Sequence, residues 1–140
     1  MVQVSQTARS TLFQALTDQQ LDDLVQEGKL ASFRPGELII RQGDEGDVMY
    51  LILGGLVEVI RILGTGGPQF SRLALGEGEF FGELALLLEG QTRTANVMAL
   101  EPTTCLILSR TDLERLLSRY PLMAVSMLTV MGRRLRAIGP

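Results

Sequence analysis

The chain has 140 residues, 46% hydrophobic and 21% charged, with a formal net charge of −3. That composition suits one folded domain with a single core, and it excludes a disordered chain or a global positive field for nucleic acid. There is no histidine, and Cys105 and Lys29 are the lone cysteine and lysine, so histidine-based metal sites and nucleophile activation, thiolate cages and an internal disulfide are all excluded.

In chain order, residues 1–10 are polar. A short helix is expected near 10–15 and a second near 18–27, where Thr17-Asp18-Gln19-Gln20 reads as a capping box and Leu21, Leu24 and Val25 keep helical spacing. Gly28 stops it. From Lys29 to Ser109 the texture changes to short segments rich in Val, Ile, Leu and Thr: LASF, ELIIRQ, VMYLILGG, LVEVIRIL, FSRLALG, TANVMAL and TTCLILS. Turn signals at Arg34-Pro35-Gly36-Glu37, Gly43–Asp47, Gly54-Gly55, Gly64–Pro68 and Gly76–Glu79 separate them, which predicts an antiparallel sandwich or barrel. Gly64–Gly67 reads as a hairpin tip. After Ser109, Thr111-Asp112-Leu113-Glu114 suggests another capping box and helix. Pro121 suits the first turn of a last helix carrying Leu122, Val125, Met127 or Leu128, and Met131. No unbroken apolar run, Leu84–Leu88 included, approaches the roughly 20 residues that cross a bilayer. The opening MVQVSQTARS has no signal-peptide pattern, so the expectation is a cytoplasmic protein or a cytoplasmic part of one.

The most informative stretch is FGELALLLEGQTRTA, Phe81–Ala95. It puts Glu83 at the first turn of a short apolar helix and Arg93, between two threonines, on a following strand. Helix N-termini attract anions, and arginine adds a planar cationic fork. A carboxylate there would repel phosphate unless aimed elsewhere. The pattern therefore suits a small phosphate ester that also carries a hydroxyl.

PGELIIRQGDEGDVMYLILGGLVEV followed by FGELALLLEGQTRTANV resembles the cyclic nucleotide-binding domain, the module of bacterial catabolite activators, of cyclic-nucleotide kinases and of certain channels. The likeness runs from about Leu12 to the C-terminal helix, and LEGQTRTA is nearer the bacterial type. It implies a mainly β, α+β fold: a jelly-roll-like β-roll over about 29–109, flanked by N-terminal helices over about 10–27 and a C-terminal helix pair over about 111–138, as one domain of 1–140. It implies that Arg93 binds the cyclic phosphate, that Glu83 accepts from the ribose 2′-hydroxyl, and that the N–H groups of Gly82, Leu84, Ala85 and Thr94 complete the cradle. The C-terminal helix would close over the base, with Arg134 or Ile138 as the capping residue. Thr92 stands where many members have proline. The ligand would be cyclic AMP ahead of cyclic GMP, with no metal or other cofactor and no catalysis. The implied partners are a homodimer through the C-terminal helix and an effector domain or protein; no DNA-reading helix follows within these 140 residues, so direct nucleic-acid binding is not expected.

Plainer readings stand beside these. Arg93 alone is a surface arginine, and Glu83 a first-turn acid. Thr94 is an ordinary strand residue or a contact to phosphate or to a guanine amino group. Gly36, Gly43, Gly46, Gly54 and Gly55 permit positive φ at turns. Met123, Met127 and Met131 pack a helix or form a dimer seam. Of Arg133, Arg134 and Arg136, two simply favour a helix C-terminus, and Cys105 is inert. Two rival functions remain: a β-roll that serves only for interaction or dimerisation, and a barrel phosphoesterase with magnesium on Glu77, Glu79 and Glu83.

Overall fold

The computed structural model describes residues 12–63 and 69–138; the expectations for residues 1–10, for the tip at Gly64–Gly67 and for the side chain of Ile138 lie outside the described residues. A 3-10 turn, Leu12–Ala15, leads into α1 (Asp18–Glu27). The Thr17 hydroxyl accepts from the Gln20 N–H and the Gln20 side chain accepts from the Thr17 N–H, so both arms of the capping box form. Gly28 then ends α1 in an extended conformation, and its place is fixed by space, since a Cβ there would overlap the Leu106 side chain.

The strands are β1 (Lys29–Phe33), β2 (Leu38–Ile40), β3 (Val48–Gly54), β4 (Leu56–Leu63), β5 (Gln69–Gly76), β6 (Phe80–Phe81), β7 (Asn96–Ala99) and β8 (Thr103–Ser109). They form two antiparallel four-stranded sheets, ordered β1-β8-β3-β6 and β2-β7-β4-β5. This is the expected mainly β jelly roll with helices at its flanks. One strand, β6, escaped the sequence reading. It pairs Phe80 with Leu51 and Phe81 with Tyr50, and is too short to carry a periodic signal.

Strands β3 and β8 explain why VMYLILGG and TTCLILS read as nearly continuous apolar runs. Strand residues alternate between faces, and here both faces are covered. Met49, Leu51, Leu53, Leu106 and Leu108 pack under the helices with Phe13, Met123 and Met127. Ile52 and Cys105 point into the roll, with Ile40, Val57, Leu75, Phe81 and Val97.

The C-terminal helices are α3 (Arg110–Arg119) and α4 (Pro121–Ile138), with α4 starting at Pro121. The cap of α3 is not at Thr111. Ser109, at the end of β8, accepts from the Asp112 N–H at 3.1 Å, and Asp112 accepts from the Ser109 N–H at 2.9 Å. The strand runs straight into the helix, so the hydroxyl at the junction caps it. Met123 and Met127 are buried in the core and Met131 packs against it, so the methionine face is not a free seam. The exposed apolar residues of α4 are instead Leu122, Val125, Leu128 and Leu135.

Candidate functional site

The segment Phe80–Glu83, which is β6 and the turn into α2 (Leu84–Leu87), is held by two arginines. Arg93 donates from Nη1 to the Gly82 carbonyl at 3.0 Å and from Nη2 to the Val48 carbonyl at 2.8 Å. Its residue is only 8% exposed. Among the described residues the ion pairs are Arg110–Glu114, Arg119–Glu27 and Arg134–Glu83, so no carboxylate neutralises it. A buried cation with only carbonyl partners is costly, and an anion would relieve it.

Arg93 lies in the loop before β7, not on a strand. Its main chain is zipped to the loop between β2 and β3: the Gly43 N–H donates to the Arg93 carbonyl and the Arg93 N–H to the Asp44 carbonyl, both at 2.8 Å.

The second arginine, Arg134 of α4, donates from Nη2 to the Phe80 carbonyl at 2.6 Å. Its guanidinium sits 4.4 Å from the Phe80 ring centroid, within cation–π range. Nη1 lies 3.6 Å from Oε1 of Glu83. Burial lowers the pKa of Arg134, while Glu83 and then Glu79 oppose the shift, and the group stays a cation at neutral pH. The side chain sought as a helix-borne cap is thus already docked on the segment that carries Glu83. Arg133 and Arg136 are exposed; of the three arginines, two of which were expected to favour the helix C-terminus, Arg136 lies in the last turn of α4 and Arg133 does not.

Glu83 is itself buried. It occupies the N-cap position of α2 but makes no side-chain cap bond; its carboxylate faces Arg134. The helix beyond it is only four residues long, so its dipole is slight and any anion would depend on Arg93 and free N–H groups. Leu84 and Ala85 lie in that first turn, where a helix supplies no acceptor for their N–H groups. Thr94 is half-buried beside Arg93. Gly82 has φ +81, and a Cβ there would come within 2.8 Å of Arg93 Nη1. The structure therefore brings Gly82, Glu83, Leu84, Ala85, Arg93, Thr94 and Arg134 to one place.

Among the described residues no three acidic side chains are grouped to hold a metal ion: Glu79 accepts from the Gly76 N–H at 2.8 Å, and Glu83 pairs with Arg134. Tyr50 stacks on Phe81 with ring centroids 4.9 Å apart, and burial raises its phenol pKa against the pull of Arg93.

A family model for the cyclic nucleotide-binding domain matches residues 30–120. The chain belongs to that family. This cyclic nucleotide-binding domain is 37% identical over 127 residues to the cyclic AMP receptor protein of Thermus thermophilus, covering 91% of this chain and 58% of the receptor. It is 35% identical over 107 residues to the cGMP-dependent protein kinase of Eimeria tenella, covering 75% of this chain and 10% of the kinase. The crystal structure of the Thermus thermophilus catabolite activator protein superposes with a TM-score of 0.76 at 35% identity, covering 91% of this chain and 59% of that one. The chain therefore spans a little over half of the receptor and a small part of the kinase. Among the described residues no helix is long and apolar enough to cross a membrane.

The sequence reading missed two things at the site. One is the close approach of Gly46 to the Arg93 guanidinium. The other is the docking of Arg134, which had a signal: Met123, Met127, Val130 and Arg134 are spaced by four, three and four, so Arg134 continues the buried stripe of α4.

Proposed function

We propose that this domain is a reversible sensor of a cyclic purine nucleotide, cyclic AMP ahead of cyclic GMP, acting in the cytoplasm without catalysis. The observation that carries the reading is Arg93, a cation 8% exposed with two carbonyl partners and, among the described residues, no carboxylate in ion-pair contact. Two of its five N–H groups are used, leaving three for the cyclic phosphate. Gly82, Leu84, Ala85 and Thr94 would add main-chain donors, and Glu83 would accept from the ribose hydroxyl. The bacterial character of LEGQTRTA favours cyclic AMP.

Coupling to the output follows from Arg134. A ligand hydroxyl arriving at Glu83 changes the carboxylate that Arg134 faces, and Arg134 is part of α4. Binding is then differential between two positions of α4, as any ligand-driven switch requires. Because Arg93 and Glu83 are both buried, entry requires the phosphate-binding cassette, Phe81–Ala95, or α4 to open. The exposed stripe Leu122, Val125, Leu128 and Leu135 would seat a second copy of the chain, carrying the movement of α4 to an effector domain or protein.

Calorimetric titration tests this. Wild type should bind cyclic AMP, and Arg93→Ala should lose roughly 10- to 150-fold, the equivalent of about 1.5–3 kcal/mol for charge-assisted hydrogen bonds. Glu83→Gln should lose less, because its amide oxygen still accepts. Unchanged binding of both nucleotides in Arg93→Ala would sink the assignment. Wild type that binds neither, yet dimerises at micromolar concentration, would leave the interaction module as the better account.

A further inference from the structure

Gly46 lies in the loop between β2 and β3. Its φ is not among the positive values, which fall at Gly36, Gly43, Gly55, Gly78, Gly82 and Gly90. Backbone freedom therefore does not explain a glycine here. Space does. A Cβ at Gly46 would overlap Nε and Cζ of Arg93, whereas one at Gly54, also without positive φ, would meet nothing within 4 Å.

The same loop and the first residue of β3 hold Arg93 at three more points: the Gly43 N–H on its carbonyl, the Asp44 carbonyl on its N–H, and the Val48 carbonyl on Nη2 at 2.8 Å. Gly82 approaches the other end of the guanidinium, where a Cβ would stand 2.8 Å from Nη1. The arginine is hemmed in by two glycines from different loops. Its fork has one seat, and that seat fixes where its three remaining N–H groups point.

We propose that Gly46 is a positioning residue for Arg93: the absence of a side chain at 46 sets the guanidinium in the orientation that takes the anion. The consequence for affinity rests on Arg93 holding the cyclic phosphate. An arginine is flexible, so a methyl group at 46 would displace the guanidinium and leave the β-roll folded.

The test compares Gly46→Ala, Gly54→Ala, Arg93→Ala and the Gly46→Ala/Arg93→Ala double variant. Without ligand, the Arg93 Nε–H resonance, identified by its loss in Arg93→Ala, should shift in Gly46→Ala and stay in place in Gly54→Ala. With cyclic AMP, Gly46→Ala should weaken binding by at least about tenfold, the equivalent of losing one charge-assisted hydrogen bond, and Gly54→Ala by less than about twofold. The double variant should bind no more weakly than Arg93→Ala alone, since coupled residues are not additive. An unmoved resonance, or independent losses in the double variant, overturns the proposal. Wild type that binds neither cyclic AMP nor cyclic GMP refutes the nucleotide reading instead, and the resonance then decides the seating of Arg93 by itself.

Discussion

Replacing Arg134 with methionine removes the strap between α4 and the cassette while keeping an apolar stem. Three contacts go. The donation to the Phe80 carbonyl at 2.6 Å is a hydrogen bond from a charged group, worth about 1.5–3 kcal/mol. The approach to the Phe80 ring at 4.4 Å contributes about 1–2 kcal/mol where water is largely excluded. The pair with Glu83 at 3.6 Å has a gross attraction near 5 kcal/mol at an effective dielectric of about 20, most of it offset by desolvation. Its side chains are 21% and 12% exposed, so solvent screening does not erase the remainder, about 1 kcal/mol. Methionine recovers part of the packing, which leaves an expected net loss of about 2–4 kcal/mol. Urea unfolding of wild type, Arg134→Met, Glu83→Gln and the double variant measures it, and the cycle should return a coupling of about 1 kcal/mol. Amide exchange in the last turns of α4 should quicken in Arg134→Met, because that end loses its tether. A loss below about 0.5 kcal/mol, or additivity within about 0.3 kcal/mol, would refute the claim that Arg134 ties α4 to Glu83.

Other outcomes follow from the helices. Leu128 is 68% exposed on α4, and Leu128→Glu should convert a dimer to a monomer in sedimentation velocity; wild type that is monomeric at about 100 µM would remove the basis for the seam. Asp112→Ala should lose about 1 kcal/mol with the cap of α3. The Asp112 pKa is lowered, first by the hydrogen bond from the Ser109 N–H. Its contribution is therefore complete above the ordinary value of 3.8 and fades as pH falls through the folded value below it. The stability gap between wild type and Asp112→Ala should be constant from neutrality to about pH 5 and should close in more acid solution; a gap that widened there would contradict this sign.

The roll was legible because its strands are apolar runs cut by turn residues, and that pattern survives without any knowledge of pairing. What the pattern lacks is which strand meets which. Nothing local in Phe80-Phe81 announces pairing with Tyr50 and Leu51, and nothing in Arg93 announces that its acceptors come from residues 48 and 82. The cap of α3 was misplaced because Thr111 and Ser109 both precede acids at the right spacing, and only the path of β8 selects Ser109. Gly46 was taken for a turn residue because a sequence carries no φ; its neighbour in space is 47 positions away. The stripe of α4 was visible in its spacing, but both faces of that helix carry large apolar residues, so periodicity alone did not say which side faced the core.

The burial of Cys105 against the roll has a consequence for what the domain can respond to. Burial pushes its thiol up to about 12, so at neutral pH there is no thiolate for an oxidant to attack. The sequence contains no histidine, the side chain that ordinarily changes charge between about pH 5 and 8. Mild acidification therefore meets no imidazole, and an oxidant meets no cysteine thiolate. A rise in ligand would be read against a steady background of pH, and the ligand response measured at pH 6 should coincide with that at pH 8.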